Sequence, residues 1–251
     1  QRTILQRIAA GEQAAVRAEE QFKLTVAIEY YRKALDRLRN LPHYFDSRLT
    51  IKERMGRLMQ RRGRMVEALE ILRVMHDKAV LDGNLPAQTR AKNAQAEIFL
   101  ELDDNRNALD AAVQAEKRAL LSGAELELAL AQRLQAEAAG RLGDSAGAID
   151  KANQSLDRGQ SLNAPRGVAR SLALLAGLLE GPHERRKAAA DLNALAEVLE
   201  ARGDRDDAAF AMTRLAEVML DLEKYREARA ALQRALAHQR LVGDQRGVAE
   251  T

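Results

Sequence analysis

The sequence has no cysteine, no tryptophan and only four prolines. Without thiols there is no disulfide framework and no thiolate chemistry. Aromatic residues make up only 3% of the chain. No apolar run reaches the roughly 20 residues of a membrane-spanning helix. The longest, around Leu172–Leu179, is about half that. Strand-like alternation is missing, and valine and isoleucine are sparse. The four histidines, His43, His76, His183 and His238, lie too far apart in sequence for a recognised metal motif. With no strands there is no glycine-rich loop after a strand, so nothing suggests a nucleotide cradle. Acidic pairs abound, but neutralising arginines stand beside them and no partner motif for acid/base chemistry accompanies them.

Alanine, leucine, arginine and glutamate dominate what remains, all good helix formers. Hydrophobic residues reach 46% of 251, enough for a core. The class is all-α. Net charge is +3, unevenly spread. Residues 1–75 carry 16 Lys/Arg against 9 Asp/Glu, and residues 76–251 carry 24 against 28. The densest basic run is RMGRLMQRRGRM, residues 54–65.

The chain repeats itself. Ala27, Ala68, Ala108, Ala148, Ala188 and Ala228 are spaced by 41 and then 40 residues, and apolar or small residues follow most of them at four and seven positions. Twelve residues earlier runs a second small series: Ala15, Gly56, Ala96, Ala136, Ala176 and Ala216. Turn residues keep the same beat. Gly83, Gly123, Asn163, Gly203 and Gly243 are 40 apart, and these types accept the left-handed conformation that closes a helix. Half a period away stand Gly63, Asp103, Gly143, His183 and Glu223. Pro86, Pro165 and Pro182 fall where helices begin. Asp104, Asp144 and Asp204 are candidate N-caps. Pro42 lies in NLPHYFDS, where the one extra residue is inserted.

Each unit therefore reads as helix A, short turn, helix B, longer turn. A helices are predicted near 5–21, 48–62, 86–102, 125–142, 165–181 and 205–222. B helices are predicted near 23–40, 65–81, 105–121, 145–161, 183–202 and 224–242. A single pair cannot bury its own apolar face, so the pairs must stack into a solenoid.

Ala or Gly in helix A and Ala at the start of helix B, twelve residues on, resemble the tetratricopeptide repeat. GRMVEALEIL (63–72), GDSAGAIDKA (143–152) and YREARAALQRAL (225–236) look like its second helix. The resemblance covers the whole chain, in the long variant with a unit of 40 residues rather than 34. That variant occurs in kinesin light chains, cortical-polarity adaptors and bacterial regulators of the maltose-activator type. The large aromatics expected in helix A are mostly replaced, by Ala18, Met59, Ala139, Leu179 and Met219. The resemblance implies a right-handed superhelical solenoid of about six antiparallel helix pairs, one domain over residues 1–251. The start at Gln1 inside a helical pattern, and the end at Thr251 shortly after a turn signal, suggest a fragment of a longer chain.

The same resemblance implies a non-enzymatic protein- or peptide-binding scaffold, a regulatory or recruiting module of a larger signalling protein. It places the ligand groove on the A helices. Period-40 columns there put Arg57 beside Glu97 and Arg61 beside Glu101, and add Arg90, Asn93, Arg133 and Glu137. One reading is inter-repeat ion pairing on a solvated face. The sharper one is a groove in which Arg57, Arg61, Arg90, Asn93 and Arg133 hold an acidic peptide or a C-terminal carboxylate, because a guanidinium grips carboxylates at two points. The Lys/Asn carboxylate clamp of chaperone-binding members is not reproduced. Met55, Met59, Met65 and Met75 at helical spacing read as packing.

Two other functions compete. One is a sensor whose curvature changes with a small peptide or metabolite, switching an attached output domain. The other is nucleic-acid binding through the basic first third, which predicts steep salt dependence. No cofactor or metal is expected, the partner is a protein or peptide, and the location is cytoplasmic. Cut ends would leave apolar faces uncapped, which opens a route to a homodimer through a terminal repeat.

Overall fold

A computed structural model describes residues 2–21, 23–38, 45–179 and 181–242. These residues form twelve helices and no strand. In order they are α1 (Arg2–Glu20), α2 (Leu24–Leu38), α3 (Phe45–Arg61), α4 (Met65–Leu81), α5 (Leu85–Glu101) and α6 (Asn105–Ser122). Then follow α7 (Glu125–Arg141), α8 (Ser145–Ser161), α9 (Pro165–Leu178), α10 (Pro182–Arg202), α11 (Arg205–Asp221) and α12 (Tyr225–Val242). Odd helices are the A helices and even ones the B helices. The chain divides into two compact units, Gln1–Ser122 with α1–α6 and Gly123–Thr251 with α7–α12. Within each unit every helix packs on the next one in sequence.

The two alanine series explain the packing. All six residues of each series are buried, on A and B helices alike. Small side chains let helix axes approach closely. Gly56 shows how close: a Cβ there would lie 3.1 Å from the Leu72 side chain, so α3 and α4 meet at this point. Larger residues fill the spaces that remain. In the first unit Tyr31, Leu38, Leu58, Met59, Leu72, Met75 and Ile98 are fully buried. In the second, Leu192, Met212, Leu199 and Leu215 serve the same end. Each such side chain contributes about 1.5–3 kcal/mol relative to staying exposed. Met55, Met59 and Met75 are buried and Met65 packs against them, so the methionine spacing is core.

The turns follow the period with one departure. Gly63, Gly83, Asp103, Gly123, Gly143, Asn163, Gly203 and Glu223 all have positive φ, twenty or forty residues apart. Three helix starts are capped by side chains. Asn84 accepts from the Ala87 amide at 3.0 Å, Asp104 from Asn107 at 3.3 Å and Asp144 from Gly147 at 3.0 Å. Asp204 occupies the N-cap position of α11 but makes no such bond. His183, expected in a turn, is instead the second residue of α10. The cause is Pro182. Proline steers its predecessor away from helical conformation, and Gly181 is extended (φ −73°, ψ 128°), as is Leu179 (φ −77°, ψ 130°). Helix α9 therefore stops at Leu178, three residues before the predicted end. The Arg185 side chain donates to the freed carbonyl of Leu179. Gly243 and Pro42 lie outside the described residues.

Candidate binding surface on the A helices

In the first unit the basic run 54–65 is dismantled by the fold. Arg54 donates to the Tyr31 hydroxyl at 3.1 Å, and that hydroxyl donates to Glu19 at 2.6 Å, tying α1, α2 and α3 together. Burial, and then the bond to Glu19, push the Tyr31 hydroxyl up to about 12. Gly56 is packed, Gly63 makes the turn, and Arg64 grips Glu67 with two bonds of 2.5 Å. Arg62 is exposed, and so are Leu102 and Leu142 at the same place in later repeats. That position closes the A helix in solvent in these three repeats, while its counterpart Leu222 is half-buried against the core.

Glu53 organises the arginines that remain. Its side chain, 13% exposed, accepts from Arg57 at 3.1 Å and from Arg90 on the next A helix at 2.9 Å. The inter-repeat bridge thus runs diagonally from α3 to α5, not along the Arg57–Glu97 column. Glu101 takes its neighbouring-repeat bond from Gln60, at 2.6 Å. Arg57 stays 53% exposed, and Arg61 is exposed with no carboxylate in ion-pair range among the described residues. Asn93 is only 1% exposed, on the packed side of α5. Glu97 is partly exposed on the same helix. In the second unit Arg133, 12% exposed on its side chain, meets Glu137 at 3.3 Å, and Arg141 meets the same carboxylate at 2.7 Å. The fold therefore gathers Arg57, Arg61, Arg90, Asn93 and Glu97 on α3 and α5 of one unit, and Arg133 with Glu137 on α7 of the other.

The most concentrated arginine cluster on an A-helix surface was not among the expected residues. Phe210 on α11 is faced by three guanidiniums. Arg170 and Arg214 stand 5.3 Å from the ring centroid and Arg166 stands 5.9 Å away. These are cation–π distances. Arg166 also pairs with Asp207, and Arg214 with Glu217 at 2.8 Å. The buried Nε of Arg214 has no hydrogen-bond partner. Glu217 is pushed upward by burial, against the pull of Arg214 and with help from Asp221. Helix α9, which supplies Arg166 and Arg170, contains no acidic residue. One signal was present in the sequence: Arg170 and Phe210 share a period-40 column, and 166/170 and 210/214 are each one helical turn apart.

No protein-family model and no curated protein sequence matches the chain. Solved structures do. One is aspartyl phosphate phosphatase F from Bacillus subtilis, with a TM-score of 0.71 and 13% identity over 96% of this chain. The chain spans 62% of that protein's length, less than two thirds. A second is a Rap protein complexed with competence and sporulation factor, with a TM-score of 0.61 and 14% identity over 96% of this chain and 77% of that one. A third is a set of nearly identical TPR-like repeats of a kinesin light chain from Podosopora anserina, with a TM-score of 0.54 and 18% identity over 80% of this chain and 98% of that one. At these identities the likeness is one of fold: the chain is a tetratricopeptide-like, all-α helical repeat. Among the described residues no helix is long and apolar enough to cross a membrane, and no group of three or more His, Asp or Glu is placed to hold a metal ion.

Proposed function

We propose that the chain is a non-enzymatic scaffold whose A helices bind an acidic protein segment or peptide, as a regulatory or recruiting module of a larger cytoplasmic signalling protein. The observation that carries this reading is the cluster of Arg166, Arg170 and Arg214 about Phe210. A guanidinium stacked on a ring can still grip a carboxylate with its N–H edge, as Arg166 does Asp207 and Arg214 does Glu217, and an acidic segment would compete with these pairs for the same forks. Holding three of them around one ring lowers the entropy lost when an anion arrives. The other A-helix arginines are further candidates, each within its own unit: Arg57, Arg61 and Arg90 with Glu97 in the first, where Asn93 lies buried on α5, and Arg133 with Glu137 in the second. The Rap neighbour captured with a bound factor supports the view that a fold of this kind receives a ligand.

The test uses fluorescence anisotropy with a dye-labelled Asp/Glu pentapeptide and its Asn/Gln counterpart. The acidic peptide binds and the neutral one does not, and binding weakens with salt. Arg170→Glu with Arg214→Glu reduces affinity by about tenfold or more, equivalent to about 1.4 kcal/mol. Arg57→Glu with Arg61→Glu measures the first unit's share. Equal binding of both peptides, or a double charge reversal without effect, refutes the proposal.

A further inference from the structure

A cleft of about 600 Å³ lies in the second unit, among the ends of α8, α9, α10 and α11. It borders the Phe210 cluster at Asp207, the partner of Arg166, and the repeat explains its origin. In the α7–α8 pair the corresponding ground is closed by a polar network. Gln132 donates to Gln154 at 3.0 Å, Arg158 Nε donates to Gln132 at 3.1 Å, and Arg158 Nη1 pairs with Glu125. One period later each of the four members is replaced by an apolar residue. Glu125 becomes Pro165, Gln132 becomes Leu172, Gln154 becomes Ala194 and Arg158 becomes Val198. All four replacements line the cleft.

Val198 is the decisive one. At its place the other B helices with the cation in register carry Lys78, Arg118, Arg158 and His238. Arg118 reaches Gln88 at 3.1 Å, Arg158 reaches Gln132, and His238 meets Glu200 at 2.7 Å. Lys78 stays exposed, whereas these three side chains reach a neighbouring helix. Valine is too short to do so and stays 47% exposed. What is left is an apolar floor with a polar rim. On the rim the side-chain carboxylates of Asp191 and Asp204 have no hydrogen-bond or ion-pair partner among the described residues; Arg202 is the one arginine in the lining, and Asp207 is taken by Arg166. The carboxylate of Asp204 is not used to cap α11.

We infer that this cleft receives a large apolar side chain from a partner segment that carries a lysine or arginine beside it. The volume is that of a small ligand site. The floor gains from covering apolar surface, and the two unpartnered carboxylates favour a neighbouring cation over an anion. This cleft meets the arginine cluster only at Asp207 and selects the opposite charge.

The test is methyl NMR of the whole chain, titrated with acetyl-Gly-Lys-Phe-Lys-Gly-amide. Methyl signals of Leu172 and Val198 shift with this peptide. Replacing Phe by Ser, or both Lys by Glu, weakens binding by about tenfold or more. Val198→Arg restores the cation of the other repeats at an exposed position, leaves the melting transition in place and abolishes the shifts. Arg170→Glu with Arg214→Glu leaves them intact, which separates this site from the A-helix surface. The inference falls if the Lys-Phe-Lys peptide produces no shift, if either control binds equally, or if Val198→Arg binds as wild type. It also falls if the same signals move with protein concentration alone, because a second copy of the chain is then the occupant.

Discussion

The helix pairs α7–α8 and α9–α10 lie side by side in one unit and share a period, yet they are built differently. The first pair is joined by Gly143 at φ +90° and capped by Asp144, and its helices are cross-linked by hydrogen bonds from Arg158 to Gln132 and from Gln132 to Gln154. In the second, Leu179 and Gly181 are both extended and Pro182 opens the next helix. This pair has no side-chain cap at α10, and apolar residues stand where the network would be. The repeat fixes where helices pack. It leaves the joints and the edges free to diverge, and the divergence leaves a cleft.

The largest expected effect follows from how each pair fills its core. Leu192 on α10 and Ala152 on α8 are period-mates, both fully buried. Where α8 needs only a methyl group, α10 depends on a leucine. Leu192→Ala is expected to cost about 2–5 kcal/mol. Urea denaturation followed by circular dichroism checks it, and a loss below about 1 kcal/mol would mean that α10 collapses freely onto its neighbours.

The two joints come next. At φ +90° a β-carbon is strained, so Gly143→Ala is expected to cost about 1–2 kcal/mol. Gly181 sits in extended backbone before a proline, which alanine adopts readily. An added Cβ there meets only the end of the Glu184 side chain, which is free to swing away. Gly181→Ala is therefore expected to stay within about 0.5 kcal/mol of wild type. Equal losses at both glycines would show that the α9–α10 joint is as constrained as the other.

Much of this was legible in the sequence. The alanine series located the helix contacts, and the Gly/Asn series located most turns, because both are local demands repeated at every unit. His183 broke the series because Pro182 acts on its immediate neighbours whatever the period says. The candidate surface was harder to read. Columns of residues 40 apart assume that side chains meet straight across a repeat, but Glu53 reaches Arg90 diagonally, 37 residues on. Asn93 shared the A helices with exposed arginines and still lies 1% exposed, since a helix turns a different face inward at every residue. Arg170 over Phe210 did follow the column. What the column lacked was the convergence of Arg166 and Arg214 on the same ring, which only the packing of α9 against α11 brings about.

Caps offer a finer contrast at the entrances to α8 and α11. The Asp144 side chain accepts the Gly147 amide, while the Asp204 side chain, at the same N-cap position of an A helix, bonds no amide. Asp144→Ala is expected to cost about 1 kcal/mol and Asp204→Ala close to nothing. Thermal melts of the two variants, at matched concentration, measure the difference. A comparable loss at Asp204 would assign its carboxylate a structural task and remove it from the free rim of the cleft.

The smallest effect on stability belongs to the most telling exchange. Gln132→Leu, Gln154→Ala and Arg158→Val together give α7–α8 the apolar residues of α9–α10. Removing both partners of a buried hydrogen bond is nearly neutral, whereas removing one leaves a costly orphan. The triple variant is therefore expected within about 1 kcal/mol of wild type, and Arg158→Val alone is expected to lose more than the triple. If the polar network is what closes the α7–α8 pair, the triple variant acquires a second site for the Lys-Phe-Lys peptide, seen as new shifts at the introduced Leu and Val methyls. Glu125, left in place, supplies the carboxylate for the flanking cation. A stable triple variant with no such shifts would mean that the cleft comes from the early end of α9 and the start of α10 at Pro182, not from the loss of the cation.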